Sequence, residues 1–172
     1  LIANNRIVHE GTAGIYTNAP DGRIVGNSII DPNWISLTSA TYGGIMLDTG
    51  SSGTRVQGNL IKKVNNPSAL AAVACVGTIN GLYLDNDTVG YAAAADLRIT
   101  GTLVTNVRGK FQPNTVVSLL SSAVGPRGEF SGTGVPAVPA SLGSTFLRTD
   151  GGASTSLYVK ETASSSTTWR AV

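Results

Sequence analysis

The feature that most constrains the fold is a short phrase that returns along the chain. Val25–Ile30 reads Val-Gly-Asn-Ser-Ile-Ile, and Gln57–Lys62 repeats it as Gln-Gly-Asn-Leu-Ile-Lys, with fainter copies at Ala3–Val8 and Thr100–Thr105. Each copy alternates apolar and polar residues as a short strand does. Self-similarity at a period of about 20 to 50 residues is typical of stacked repeats, in which each repeat buries its apolar face against its neighbours.

A second phrase alternates with the first. It occurs at Gly14–Asn18, Gly44–Asp48 and Gly81–Asp85, and each copy ends in Asn or Asp, which favour turns. Two strand phrases per repeat, in fixed order, predict an all-β chain, and specifically the coils of a right-handed parallel β-helix. Asn5 and Asn27 occupy the same position in the first two copies along the chain, and they are 22 residues apart, about one bare coil. We attribute the wider later spacings to insertions at Pro32–Gly43, Lys63–Asn80 and Asn86–Asp96.

The alignment of these copies predicts which residues stack from coil to coil. Apolar residues at one repeat position would bury a continuous core, and Asn at the bend would satisfy backbone groups above and below. The predicted polar column is Asn5, Asn27, Asn59 and Thr102. The predicted apolar columns are Ile24, Val56 and Ile99; Ile7, Ile29, Ile61 and Val104; Ile15, Ile45 and Leu82; and Thr17, Leu47 and Leu84.

Composition excludes several classes of site. Charged residues make up 13% of the chain, about half the usual fraction, and the net charge of +2 does not indicate nucleic acid binding. Cys75 is the only cysteine and His9 the only histidine, so a disulfide within the chain and a Cys- or His-built zinc site are not expected. No apolar run is long enough for a membrane span. We therefore expect no cofactor, no metal and no membrane insertion.

The chain divides into three predicted regions. Residues 1–106 hold the coils, and 107–135 form a connector with one candidate strand at Val116–Leu120. Residues 136–172 contain three short strand candidates, which are too few to make much core alone, so we expect this tail to associate with other copies. Because Leu1 falls inside a repeat, we expect the chain to be the C-terminal part of a longer protein. The tail strand candidates are Ser144–Arg148, Ser156–Lys160 and Thr167–Val172.

The tail resembles the closing segment of bacteriophage tail-fibre and tailspike proteins. The matching pieces are Gly143-Ser144, Arg148–Gly152, Leu157–Glu161 and Trp169, while Ala163–Thr168 is rich in Ser and Thr where that family often has Gly. The upstream repeat is similar to the pectate-lyase-like β-helices of the same proteins. The resemblance implies a homotrimer in the virion, assembled in the host cytoplasm and acting at the bacterial surface, with the tail as a trimer-closing cap. The implied trimerisation residues are Phe146, Arg148, Asp150, Leu157, Tyr158 and Trp169.

One candidate column for chemistry is Asn18, Asp48 and Asp85, each closing a second phrase. Neighbouring coils are about 4.8 Å apart, so Asp48 and Asp85 would lie close enough for the paired carboxylates of a retaining glycosidase. The alternative is that both are turn residues that end a strand, and their local sequences favour it.

Two further columns concern binding. Arg23, Arg55 and Arg98 would stack three like charges, which requires structural ion pairs, favoured here, or the anionic groups of a capsule or lipopolysaccharide. The outward residues Tyr16, Met46 and Tyr83 predict an apolar stripe, favoured as a subunit contact, although tyrosine also stacks on sugars. Trp34, in the first insertion, is the better glycan-binding candidate.

These observations predict a trimeric adhesion module of a phage tailspike or tail fibre that binds bacterial surface polysaccharide or lipopolysaccharide. The alternative is a polysaccharide depolymerase, a glycoside hydrolase or lyase, with Asp48 and Asp85 as catalytic carboxylates. A secreted bacterial β-helix lyase is a third class, and the tail argues against it.

Overall fold

The computed structural model describes residues 1–9, 11–32, 43–65, 71–91, 95–100, 103–113, 117–119, 125–162 and 168–172, with the backbone alone at 95, 103–106, 112, 113, 118 and 119. The described chain forms sixteen strands and no helix, which confirms the all-β prediction. The strands are β1 (Ile2–Ala3), β2 (Arg6–Val8), β3 (Ile15–Thr17), β4 (Arg23–Val25), β5 (Ser28–Ile30), β6 (Ile45–Leu47), β7 (Arg55–Lys62), β8 (Ala71–Cys75), β9 (Thr78–Val89), β10 (Ala95–Ile99), β11 (Leu103–Pro113), β12 (Val117–Leu119), β13 (Arg127–Gly132), β14 (Thr145–Arg148), β15 (Leu157–Val159) and β16 (Arg170–Ala171).

The strands form two sheets, and the chain alternates between them. The large sheet has the order β1-β4-β7-β9-β11-β13-β14-β15-β16, with β2 paired to β5 and β5 paired to β7. The small sheet has the order β12-β10-β8-β6-β3. All pairs are parallel except β14–β15 and β15–β16. Parallel neighbours need a long crossover, and from β2 to β13 each crossover of the large sheet carries one strand of the small sheet. The crossover from β13 to β14 carries none.

Much of the predicted register is confirmed. Ile24 lies opposite Val56, and Ile45 lies opposite Ile15. The alternation of each short strand points these side chains inward, where their exposed fraction is 4% or less. The core therefore lies between the two sheets as stacked aliphatic columns. The other confirmed pairs are Ile7 with Ile29, Ile29 with Ile61, and Thr17 with Leu47.

The predicted register is wrong beyond the first two or three members of each apolar column. The small-sheet partner of Ile45 is Val73, and the partner of Leu47 is Cys75, because β8 takes the place assigned to Gly81–Asp85. All five residues of β8 are buried, so the strand has no polar–apolar alternation and was taken for part of an insertion. The displaced residues pair elsewhere: Leu84 with Val56, Leu82 with Val107, Ile99 with Cys75, and Val104 with Ile79.

The asparagine column is confirmed for Asn5, Asn27 and Asn59, and Asn86 continues it. Each side-chain oxygen accepts both the backbone N–H and the side-chain amide of the preceding member, with amide distances of 2.9, 2.9 and 2.7 Å along the column. The continuous ladder satisfies backbone groups at four successive positions of the large sheet. Thr102, the predicted fourth member, lies outside the described residues.

The tail contains the three predicted strands, with β14, β15 and β16 shorter than their candidates. Strand β14 extends the parallel large sheet beside β13, and the two later strands turn back antiparallel because their connections are too short for a crossover. The pairing of β11 and β13 shows that the large sheet continues through residues 107–135. Aromatic rings fill the core here: Phe111 stacks on Phe130, and Trp169 packs edge-on against Phe130 and Phe146.

Candidate functional site

Five large-sheet strands place four exposed arginines and one half-buried tyrosine in a line on the outer face, which we call the arginine–tyrosine column. Arg23 lies opposite Arg55, Arg55 opposite Tyr83, Tyr83 opposite Arg108, and Arg108 opposite Arg127. Each residue comes from a different strand in the same register. Neighbouring strands are about 4.8 Å apart, so the column runs across the strands for about 19 Å.

The orientation of this column follows from the residue after each member. Ile24, Val56 and Leu84 are buried in the core, so the residue before each one faces out. After Arg108 and Arg127 the inward residue is glycine, and the Gly109 and Gly128 backbones lie opposite each other. The stacked Phe111 and Phe130 rings, with centroids 4.5 Å apart, fill the core beside these glycines.

The column carries uncompensated positive charge. Ion pairs between described residues include His9–Asp31, Arg148–Asp150 and Arg170–Glu161. Within the described part of the chain, no column arginine forms one. Two exposed guanidinium groups about 5 Å apart repel by about 0.8 kcal/mol in water. In the next outward column, Gln57 lies opposite Asp85 and Lys110 lies opposite Glu129. That column therefore carries both positive and negative charges and does not neutralise the arginines.

A groove of about 400 Å³ opens at the centre of the column, within the range of small-ligand sites. Arg55, Tyr83 and Arg108 line it. Gly53 and Gly81 form one edge with φ of 74° and 80°, a backbone conformation that glycine adopts without strain. Gly81 adds no side chain at this edge, and the Asp21 carboxylate lies against Gly53. Tyr83 is half-buried in the groove, and Arg55 and Arg108 on either side of it are exposed.

The predicted third member of the arginine column is wrong. Arg98 lies in β10 of the small sheet, opposite Ala74 and Ser118, because the buried strand β8 shifts every later strand by one place. Sequence reasoning missed Arg108 and Arg127. A signal for them exists in the repeated Arg-Gly-x-Phe of Arg108–Phe111 and Arg127–Phe130.

The predicted carboxylate pair is not formed. Asp48 follows β6 of the small sheet, whereas Asp85 lies in β9 of the large sheet opposite Gln57. The Asp48 carboxylate accepts hydrogen bonds from the Tyr16 hydroxyl at 2.9 Å and from the Thr49 backbone N–H at 2.6 Å. The hydrogen bond to Asp48 raises the pKa of Tyr16. The geometry at Asp48 is that of a turn residue, as the alternative interpretation had it, but that interpretation is wrong for Asp85, which lies inside β9 and does not end a strand.

The predicted Tyr16–Met46–Tyr83 stripe is correct only for its first pair. Tyr16 lies opposite Met46, and Met46 lies opposite Ala74 rather than Tyr83, which belongs to the large sheet. Tyr16 is 51% exposed, so it remains on the outer face of the small sheet. Trp34 lies outside the described residues.

Most of the residues assigned to trimerisation are engaged within the chain. Phe146 and Tyr158 are buried, and the Trp169 indole N–H donates to the Val138 carbonyl at 3.0 Å. Arg148 pairs with Asp150 at 2.8 Å, which raises the pKa of Arg148 and lowers that of Asp150. Leu157 lies opposite Leu147 and both are exposed, so these two leucines form an open apolar pair on the outer face.

A buried carboxylate lies at the end of β5. Asp31 is 1% exposed and accepts the backbone N–H groups of Val64 and Asn65, and His9 approaches it at 3.7 Å. These contacts hold a turn between strands. Among the described residues, no group of three or more His, Cys, Asp or Glu is arranged to hold a metal ion. In the same part of the chain no helix is long and apolar enough to cross a membrane.

Comparison with known proteins found no matching family model, and neither a curated protein nor a solved structure matched the chain significantly.

Proposed function

We propose that this chain is an adhesion module of a bacteriophage tailspike or tail fibre, a homotrimer that recognises a polysaccharide on the bacterial surface. The observation that carries the proposal is the open groove at Tyr83, flanked by Arg55 and Arg108 on a regular parallel sheet. An aromatic ring with polar groups on either side suits a sugar, which offers an apolar ring face and a polar rim.

The architecture we propose is a right-handed parallel β-helix. Six successive large-sheet positions, from β1 and β2 to β13, alternate with the five small-sheet strands, and corresponding residues stack in register. The asparagine ladder supports the same architecture, because Asn5, Asn27, Asn59 and Asn86 each come from a separate coil. A stack of this kind provides the rigid, elongated surface that an adhesion fibre needs.

The proposed trimer contact is the outer face of the tail. Leu147 and Leu157 lie directly opposite each other and are 55% and 41% exposed. They border an open groove of about 500 Å³ together with Lys110 and Glu129. A surface with exposed apolar side chains and both charge signs is suited to contact with a second copy. Three copies would then present three weak glycan sites at once, which raises the avidity.

We do not propose depolymerase activity for this chain. That alternative depended on Asp48 and Asp85 lying together, and they belong to different sheets.

The first test is the mass in solution by light scattering. A homotrimer has three times the 17.6 kDa of the chain, and a monomer at all concentrations would rule out the proposed assembly. The second test is binding to immobilised bacterial surface polysaccharides. Tyr83→Ala should lose most of the binding, while Tyr16→Ala, which removes an exposed tyrosine from the small sheet, should retain it. Equal binding by both variants would show that the groove is not the glycan site.

A further inference from the structure

We propose that the ligand of the arginine–tyrosine column is a linear acidic polysaccharide that lies across the strands, along the column. This inference deepens the proposed function and rests on it for the polysaccharide class. It specifies that carboxylate or sulfate groups bind the arginines and that an uncharged sugar ring stacks on Tyr83.

The length of the column indicates a polymer. Arg23, Arg55, Tyr83, Arg108 and Arg127 occupy one register position on successive strands, so they form a straight line of about 19 Å. A single small anion would reach two adjacent members at most. An extended chain parallel to the line would contact all five.

The order of the column indicates the charge pattern. Two adjacent arginines, Arg23 and Arg55, are separated by Tyr83 from a second adjacent pair, Arg108 and Arg127. An anionic group at each pair would relieve the repulsion within it and form charge-assisted hydrogen bonds. The centres of the two pairs are about 14 Å apart, so the ligand needs acidic groups separated by an uncharged segment.

The flanking charges favour a sparsely charged polymer over a nucleic acid. Asp85 lies two residues beyond Tyr83 on the same outward face, and Glu129 lies two beyond Arg127. A strand with one phosphate per nucleotide would bring charges close to both carboxylates. The column also offers one aromatic ring, whereas single-stranded nucleic acid sites use several stacked in succession.

The experiment measures binding of the full chain to fluorescent hyaluronan, in which a uronate alternates with an uncharged sugar. Dextran sulfate, neutral dextran and a single-stranded DNA oligonucleotide serve as comparison probes. The test variant is Arg55→Gln with Arg108→Gln. The matched control is Arg6→Gln with Arg98→Gln, which removes the same charge from two residues outside the column.

The expected result follows from salt screening of the arginine–carboxylate contacts. The affinity of the wild type for hyaluronan should fall between about 50 and 200 mM salt, and that of the test variant, which keeps two of the four column arginines, should fall less steeply. At low salt the test variant should bind about tenfold more weakly than the wild type. The control variant should match the wild type in both measurements.

Three outcomes would overturn the inference. The first is that the chain binds neutral dextran as tightly as it binds hyaluronan and dextran sulfate, and the second is that it binds the DNA oligonucleotide more tightly than both acidic polysaccharides. The third such outcome is a test variant whose affinity depends on salt as steeply as that of the wild type. A change in solution mass in that variant alone would instead make the column a subunit contact, and this too would overturn it. A trimer that binds a neutral bacterial glycan would refute the inference and leave the proposed function standing. A monomer that binds hyaluronan through the arginines would support the inference and refute the proposed trimeric assembly.

Discussion

The asparagine ladder makes the most quantitative prediction about stability, for Asn59→Ala. The Asn59 side chain is fully buried and makes five hydrogen bonds. Its oxygen accepts the backbone N–H and the amide of Asn27, both at 2.9 Å. Its amide donates to the carbonyls of Ile24 and Gln57 and to the side-chain oxygen of Asn86. Alanine removes all five.

The magnitude follows from what each partner retains. The buried Asn27 backbone N–H is left without an acceptor, which costs about 2 kcal/mol. The other four bonds cost less, about 0.5 kcal/mol each, because the Asn27 amide, the Gln57 carbonyl and the Asn86 oxygen each keep another hydrogen bond. The expected loss in the free energy of unfolding is about 4 kcal/mol, a large part of a typical domain's stability.

The assay is denaturant unfolding followed by circular dichroism at one fixed protein concentration, because association would contribute to stability. The matched control is Asn5→Ala at the exposed end of the same ladder, where the side chain makes two hydrogen bonds. We expect that control to lose about 1 kcal/mol or less. Losses for Asn59→Ala and Asn5→Ala that agree within about 0.5 kcal/mol would refute the claim that the ladder stabilises through buried backbone groups.

Three other predictions concern the core and the tail. Burial raises the pKa of the Cys75 thiol to about 12, so the native protein should resist a thiol reagent at neutral pH and react only on unfolding; rapid native labelling would contradict its placement. A Cβ at Gly128 would overlap the Gly109 carbonyl, so Gly128→Ala should cost about 1–3 kcal/mol while Gly152→Ala, in open space, should be neutral in the same unfolding assay. Burial lowers the pKa of Lys160 from 10.5, so the folded state binds the ammonium proton of Lys160 less tightly than the unfolded state does. The free energy of unfolding should therefore rise as the pH rises towards 10.5. The stability difference between wild type and Lys160→Met should therefore increase between about pH 7 and pH 10, and a flat or falling difference would contradict the assignment.

The arginine–tyrosine column shows how one misplaced strand changes the later part of an alignment. Arg23 and Arg55 were correctly paired because both precede an inward aliphatic residue in a clear strand. Arg98 precedes Ile99 in the same local pattern, yet it belongs to the small sheet. Local periodicity reports which side chains face inward, but it does not report which of two sheets a strand joins. The alignment of the copies gives β8 no place in a coil, so the Gly81–Asp85 phrase and Arg98 after it are each assigned to the wrong sheet.

Sequence by itself determined the all-β class, the repeat, the inward aliphatic columns of the first coils and the asparagine ladder from Asn5 to Asn59. These depend on alternation and on turn residues, which are local properties of the chain. Only the tertiary structure decided that Tyr83 lies between Arg55 and Arg108, and that Asp48 and Asp85 lie apart. These relations depend on strand pairing between segments that are distant in the sequence. The pairing depends on the place of the fully buried strand β8, and alternation gives no signal for β8 because both of its faces are buried.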